Sequence, residues 1–368
     1  HRMDPRIDKL AQVLIDYSLA IKEGDFFAIN SPPIAAPLVE ALYVRALAKG
    51  AHPVTTISLP QLAELFLKNA SDEQLRWVSP LQKLIIEQAD ATFSILADTN
   101  TKMLTNTDPA KQMQRAGAMN ALTKTYMERA ASGALRWSLT LYPTEAYAQD
   151  AEMSLAEYED FVYGAGLLNE PDPVAAWKKQ GAVQQRLIDW LHGKDRVHVT
   201  GPDTDLTLSI KDRVFINADG SRNFPDGEIF TGPVENSING HIHFSYPANL
   251  GGREIEDIRL TFTDGVVTQA TAARGQDYLE KLLDTDAGAR RVGEFAFGTN
   301  YGIQRFTKNT LFDEKIGGTI HMALGRAYPE TGGKNESAIH TDIVCDLRDG
   351  GEITVDGQIF AKDGKFAV

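Results

Sequence analysis

The chain has 368 residues, 43% of them hydrophobic and 24% charged, with a formal net charge of −13 at pH 7. That length suits two domains and the composition suits a packed globular core, while an acidic balance without a Lys/Arg cluster excludes nucleic acid or an anionic membrane as the main partner. No stretch approaches the roughly 20 apolar residues of a membrane span, residues 4–10 lack a signal peptide's apolar centre, and the lone Cys345 cannot form an internal disulfide, so a cytoplasmic location is expected.

His1 and Arg2 ahead of Met3 read as cloning residue. Asp4-Pro5 reads as an N-cap with proline at the first helical position, and Ile7, Leu10, Ala11, Leu14 and Tyr17 keep helical spacing until Gly24. Residues 25–30 form a short apolar strand, 35–49 a helix closed by Gly50, and 53–59 a second strand. This βαβ unit implies a parallel pair with a right-handed crossover. Helical patterns over 62–69 and 72–87 precede a strand at 92–97, and a long helix over 109–131 precedes a strand at 135–142. The first half is therefore expected to be doubly wound. The turn after its first strand is Ser31-Pro32-Pro33, with neither G-x-G-x-x-G nor G-x-x-x-x-G-K-[ST], which disfavours a nucleotide cofactor and favours a scaffold or dimerisation role.

Asn169-Glu170-Pro171-Asp172-Pro173 marks a turn or linker, and a helix over 174–191 leads into a different texture. Strand-like runs at 197–200, 205–210, 238–246 and 258–263 are punctuated by turn dipeptides, including Asp264-Gly265 and Asp356-Gly357, which favour tight hairpins. One helix, near 276–283, interrupts them. The expected fold is an α/β N-terminal domain with a mainly parallel sheet (1–172) and an α+β, β-rich C-terminal domain (173–368).

Metal-ligand chemistry concentrates late in the chain. In the strand-like run 338–345, His340 and Asp342 are two residues apart and point to one face. His321 follows Gly317-Gly318, where small residues let another backbone, a ligand or a metal approach closely. Glu228, Glu294 and Glu314 sit in glycine-rich or loop-like surroundings. There is no H-E-x-x-H and no C-x-x-C, so pattern alone leaves open both a metal site on His321, His340 and Asp342 and a set of satisfied structural side chains. His241-x-His243 reads first as a pair of imidazoles on an exposed strand face. Glu314 either pairs with its neighbour Lys315, orienting the His321 segment, or acts directly.

The blocks Arg222-Asn-Phe-Pro-Asp-Gly-Glu228-Ile-Phe-Thr, Gly293-Glu294-Phe-Ala-Phe-Gly-Thr-Asn300, Leu311-Phe-Asp-Glu-Lys-Ile-Gly-Gly-Thr-Ile-His321-Met-Ala-Leu-Gly and Asn335-Glu-Ser-Ala-Ile-His340-Thr-Asp342 resemble, in order, those of the thermophilic aminopeptidases of the T and S type. That resemblance implies a metal-dependent aminopeptidase whose second domain is catalytic, with two divalent ions (zinc, cobalt or manganese) held by Glu228, Glu294, His321, His340 and Asp342. It also implies Tyr328 beside the metals, short peptides as substrates, and a homodimer whose sites face an enclosed space. In this reading Glu294 bridges the ions or lies nearest the shared water, from where it also takes a proton, and Tyr328 donates to the oxyanion. Thr341 and a short 332–337 loop depart from the family pattern and imply a differently shaped pocket beside His340. Two other classes remain to be weighed: a different two-metal hydrolase such as a phosphoesterase, for which Arg326 is the nearest candidate anion-holding group, and a non-enzymatic binding module.

Overall fold

The computed structural model describes residues 4–250 and 253–368, so the reading of His1 and Arg2 lies outside the described residues. The chain forms two compact units. The first runs to Ala176 and takes back Gly220–Phe224; the second comprises Trp177–Asp219 and Pro225–Val368.

The first unit is built on a five-stranded parallel sheet in the order His52–Ile57, Phe26–Ser31, Ala91–Leu96, Arg136–Leu141, Asn223–Phe224. The helix Pro5–Val13 starts as its sequence predicts, with the Asp4 side chain accepting from the Arg6 amide and Pro5 in the first turn. It passes into a wider π turn, Leu14–Ser18, before the first strand. Two expected long helices are each broken. The 72–87 pattern divides into Asp72–Arg76 and Pro80–Gln88, because a proline drives the residue before it into extended backbone, and Ser79 has φ −64° and ψ 127°. The 109–131 pattern divides at Met119 into Pro109–Ala118 and Asn120–Ala131, two residues past the weak helix former Gly117. Two further helices, Glu145–Asp150 and Leu155–Ala165, lie outside the elements that the sequence predicts. Among the described residues no helix is long and apolar enough to cross a membrane.

The second unit is antiparallel β, as its turn dipeptides predict. An eight-stranded sheet runs Val266–Thr271, Ile258–Thr263, Asn239–Phe244, Thr204–Ser209, Arg196–Gly201, Glu352–Val355, Gln358–Lys362, Lys365–Phe366. At Asp264-Gly265 both residues have positive φ (48° and 80°), as they do at Asp356-Gly357 (49° and 78°). This is the double left-handed step that matches the twist of a two-residue hairpin. A second sheet has five strands in the order His340–Asp346, Thr319–Gly325, Val292–Gly298, Glu228–Thr231, Ile216–Ala218. One apolar face of each sheet feeds a common hydrophobic cluster, joined by Leu187 and Leu191 of the helix Pro173–Leu191.

Candidate metal centre

The five-stranded sheet sorts its side chains by strand alternation. Its registers pair Gly298 with Glu228, Ala296 with Phe230 and His321, His321 with Val344, Glu294 with Ala323, Ala323 with Asp342, and Gly325 with His340. Residues opposite one another share a face, as do residues two apart. Glu228, Glu294, His321, His340 and Asp342 therefore all lie on one face, together with the small Ala296, Gly298, Ala323 and Gly325 and, farther along their strands, Phe230 and Val344. The other face presents Ile229, Phe295, Phe297, Ile320, Met322, Leu324, Ile343 and Cys345, all in the apolar cluster. The apolar side anchors the sheet, and the small residues on the other side keep room for whatever the charged groups hold.

The charged groups converge. His321 Nε2 lies 2.9 Å from Glu228 Oε2 and 3.2 Å from Glu294 Oε1. His340 Nε2 lies 3.4 Å from both Glu294 Oε2 and Asp342 Oδ2. The His340 Nδ1–H donates to the Arg326 carbonyl at 2.8 Å, which points Nε2 toward the carboxylates. Thus all five side chains that the resemblance implies as ligands are brought together. Ligand atoms of Glu228, Glu314 and His321 lie within 4.8 Å of one another, as do those of Glu294, His321 and Asp342, so His321 is common to two groups of metal-binding composition.

Two members were not singled out as ligands from the sequence. Glu314, just past the short helix Thr310–Asp313, joins the first of those groups, and Asp226 lies buried beside Lys315. The Asp226-Gly227 turn carries the signal that was available. Gly227 has φ 127°, and a Cβ there would sit 2.6 Å from Cβ of Asn300, so glycine is required where the chain turns into Glu228. Gly317 and Gly318 serve backbone and ring packing: a Cβ on Gly317 would meet the Tyr301 ring at 2.6 Å, and one on Gly318 would meet Gly364 at 2.8 Å. Thr341 pairs with Leu324 and points to the apolar face, so it does not line the charged one. The second strand pair of histidines stays apart from this centre, with His243 Nε2 held by Asp257 at 2.6 Å.

Tyr328 packs at the edge, its ring centroid 5.1 Å from that of His340 and 5.6 Å from that of Phe230. Burial and the neighbouring carboxylates push its phenol up, so it stays a proton donor through neutral pH. Burial likewise raises Glu294, and raises Glu314 to about 8, whereas for Glu228 the burial is outweighed by Lys315 and His321, which hold it at about 2. Carboxylates outweigh burial at His340 too, raising it to about 9.

The donor set fits a divalent cation. Five carboxylates (Asp226, Glu228, Glu294, Glu314, Asp342) face one lysine and two imidazoles. Three buried atoms of the cluster, Glu228 Oε2, Asp342 Oδ1 and His321 Nδ1, have no hydrogen-bond partner. Buried polar atoms are ordinarily satisfied, and unpaired acceptors beside an imidazole are what a cation would satisfy. Imidazole and carboxylate together suit borderline divalent metals.

Residues 3–366 match the family model of the thermophilic metalloprotease (M29). The chain belongs to this family. It is therefore a metallopeptidase, and the resemblance to the T and S type aminopeptidases read from its four blocks holds over the whole chain. Aminopeptidase 2 of Geobacillus stearothermophilus is 29% identical over 406 residues, covering 99% of this chain and 96% of that protein. Aminopeptidase T of Thermus thermophilus is 28% identical over 392 residues, covering 95% of this chain and 94% of its own. The solved structure of wild-type AmpT from Thermus thermophilus superposes with a TM-score of 0.85, at 24% identity and 99% coverage of both chains, and shows the same fold.

Proposed function

We propose that this M29 member is a two-metal aminopeptidase that removes N-terminal residues from short peptides. The observation that supports it most is the single charged face described above, where two groups of metal-binding composition share His321 and leave three buried atoms unsatisfied. The aminopeptidase names of the relatives supply the reaction class. Zinc, cobalt and manganese all suit the ligands.

In this reading Glu228, Glu294, His321, His340 and Asp342 hold the ions. Two divalent ions bound there would supply an activated water and polarise the scissile carbonyl. The rest falls to the chain. Glu294, with one carboxylate oxygen near each imidazole, is placed between the two halves of the cluster, and its Oε2 takes the proton of the attacking water. The Tyr328 hydroxyl donates a hydrogen bond to the oxyanion of the tetrahedral intermediate, a contribution worth roughly 3 kcal/mol when one such donor is lost. The exopeptidase reading is tested with an aminoacyl anilide: Glu294→Gln should lower kcat at least about a thousandfold with the fold intact. Near wild-type turnover would refute it.

A phosphoesterase needs a cation free to hold phosphate. Lys315, the cation within the cluster, is already engaged by three carboxyl groups.

The first unit is proposed as scaffold and homodimerisation surface. It leaves large apolar side chains exposed along the helices Ala36–Ala48, Gln61–Asn69 and Pro80–Gln88, among them Val44 (66%), Leu62 (52%) and Leu81 (59%). Apolar patches of this kind mark interaction surfaces. The cytoplasmic location expected from a single cysteine belongs to the same proposal, and Cys345 is buried and free.

A further inference from the structure

Lys315, like Asp226 and Glu314, is a part of the charged cluster to which the two-metal reading gives no task. Its side chain is 2% exposed, and its Nζ lies 3.0 Å from Glu228 Oε1, 2.9 Å from Glu314 Oε2 and 3.9 Å from Asp226 Oδ1. Lysines are almost never buried this far unless their charge is matched. Here three carboxyl groups surround one ammonium.

The backbone on either side is pinned. Asn300 donates its amide to the Lys315 carbonyl at 2.9 Å, and Gly317 donates to the Asn300 carbonyl at 3.0 Å. The ammonium is thus presented from a fixed segment. It is also a compact point charge with three donors, which suits three separate oxygens better than the planar fork of arginine.

Each carboxylate has two oxygens, and the lysine divides them. Glu228 Oε1 faces Lys315, while Glu228 Oε2 lies 2.9 Å from His321 Nε2, buried and without a hydrogen bond. Glu314 spends Oε2 on Lys315 and also belongs to the metal-binding group of Glu228 and His321. Resting on the two-metal reading, we propose that Lys315 is a positioning residue: a permanent internal cation that occupies one oxygen of Glu228 and one of Glu314, leaving each a single oxygen to offer a metal. The neighbouring positive charge lowers metal affinity, and single-oxygen ligation leaves the ion more electron-poor. The chain thereby trades tight binding for a stronger electrophile.

A purely structural lysine predicts the opposite sign for affinity, and this decides the test. Metal-free wild type, Lys315→Met and Lys315→Arg are titrated with zinc alone against a competing chelator, with cobalt as a spectroscopic probe of coordination. Lys315→Met should bind zinc at least about tenfold more tightly, because a unit positive charge beside the site has been removed. Its cobalt absorption spectrum should shift, and kcat of the loaded enzyme should fall. Lys315→Arg should stay close to wild type in affinity. Affinity in Lys315→Met that is unchanged or weaker overturns the inference.

If Lys315→Met does not fold, the wild type still answers. Infrared difference spectra on zinc loading, with carbon-13 labelled glutamate and the Glu228 band assigned by its loss in Glu228→Gln, should show single-oxygen ligation for Glu228, and two-oxygen ligation by Glu228 overturns the inference. Wild type that takes up no divalent ion overturns the two-metal reading itself, and this inference with it. Uptake by wild type with unaltered affinity in Lys315→Met overturns this inference alone.

Discussion

The two units break the usual rule of apolar inside and charged outside in opposite ways. The first leaves large apolar side chains in solvent: the helices Pro109–Ala118 and Pro80–Gln88 bury no residue fully, and the edge strand His52–Ile57 has Val54 and Ile57 exposed. The second does the reverse, enclosing Asp226, Glu228, Glu294, Lys315 and His321 next to its core. Either departure costs free energy in an isolated chain, since exposed apolar area forgoes burial and a buried charge forgoes hydration. In the proposed reading a partner's apolar surface covers the first departure and cations offset the second.

The largest effect should come from breaking the second unit's exception at its centre. His321 is shared by both groups of metal-binding composition, so on the two-metal proposal His321→Ala should remove both ions, read by metal analysis, and lower kcat/KM for an aminoacyl anilide at least about a thousandfold. Retention of a full metal complement would show that the groups do not depend on it. Chelation should be felt next. An ion present at about 1,000 times its Kd stabilises by about 4 kcal/mol, so stripping it should lower the melting temperature, with hydrogen exchange rising on the strands Val292–Gly298 and Thr319–Gly325 and not on Phe26–Ser31. Uniform loosening of both units would erase the contrast between them.

The first unit is broken from outside. Leu47 is 54% exposed and Val44 66%, so on the proposed homodimer reading the double substitution Val44→Lys with Leu47→Lys should convert dimer to monomer, read by light scattering. In the monomer each change should cost within about 0.5 kcal/mol, as surface substitutions do. A dimer that survives would place the interface elsewhere.

What the sequence discloses follows the same division. In the first unit, period 3.6 helices alternate with short apolar strands, and the parallel sheet is legible from them. The helices Glu145–Asp150 and Leu155–Ala165 escape that reading although their starts are marked: Ser154 and Glu157 form a capping box, and Thr144 caps its own helix. The pairing of Asn223–Phe224 with Arg136–Leu141 has no local signature, because two residues carry no period. In the second unit the hairpins are legible from Asp-Gly dipeptides. Val292–Gly298 is not, since all its residues are buried and no alternation of apolar with polar survives. His340 and Asp342 share a face by spacing alone, but only the register with Thr319–Gly325 and Val292–Gly298 brings His321 and Glu294 beside them, and register is a tertiary fact.

The smallest effect separates backbone strain from the site within the second unit. Gly357 and Gly227 both have positive φ, 78° and 127°. A Cβ on Gly357 would meet nothing within 4 Å, so Gly357→Ala should cost only the left-handed backbone penalty, about 1 kcal/mol, with kcat unchanged. A Cβ on Gly227 would lie 2.6 Å from Cβ of Asn300, whose side chain donates to the Asp226 carbonyl at 2.9 Å. Relieving that clash must move either Asn300 or the turn that delivers Glu228, so Gly227→Ala should lower metal occupancy as well as stability. Calorimetry and metal analysis on the pair check this. If both variants lost metal equally, the effect would be general to the unit's folding, whereas loss confined to Gly227→Ala would tie the turn's geometry to Glu228.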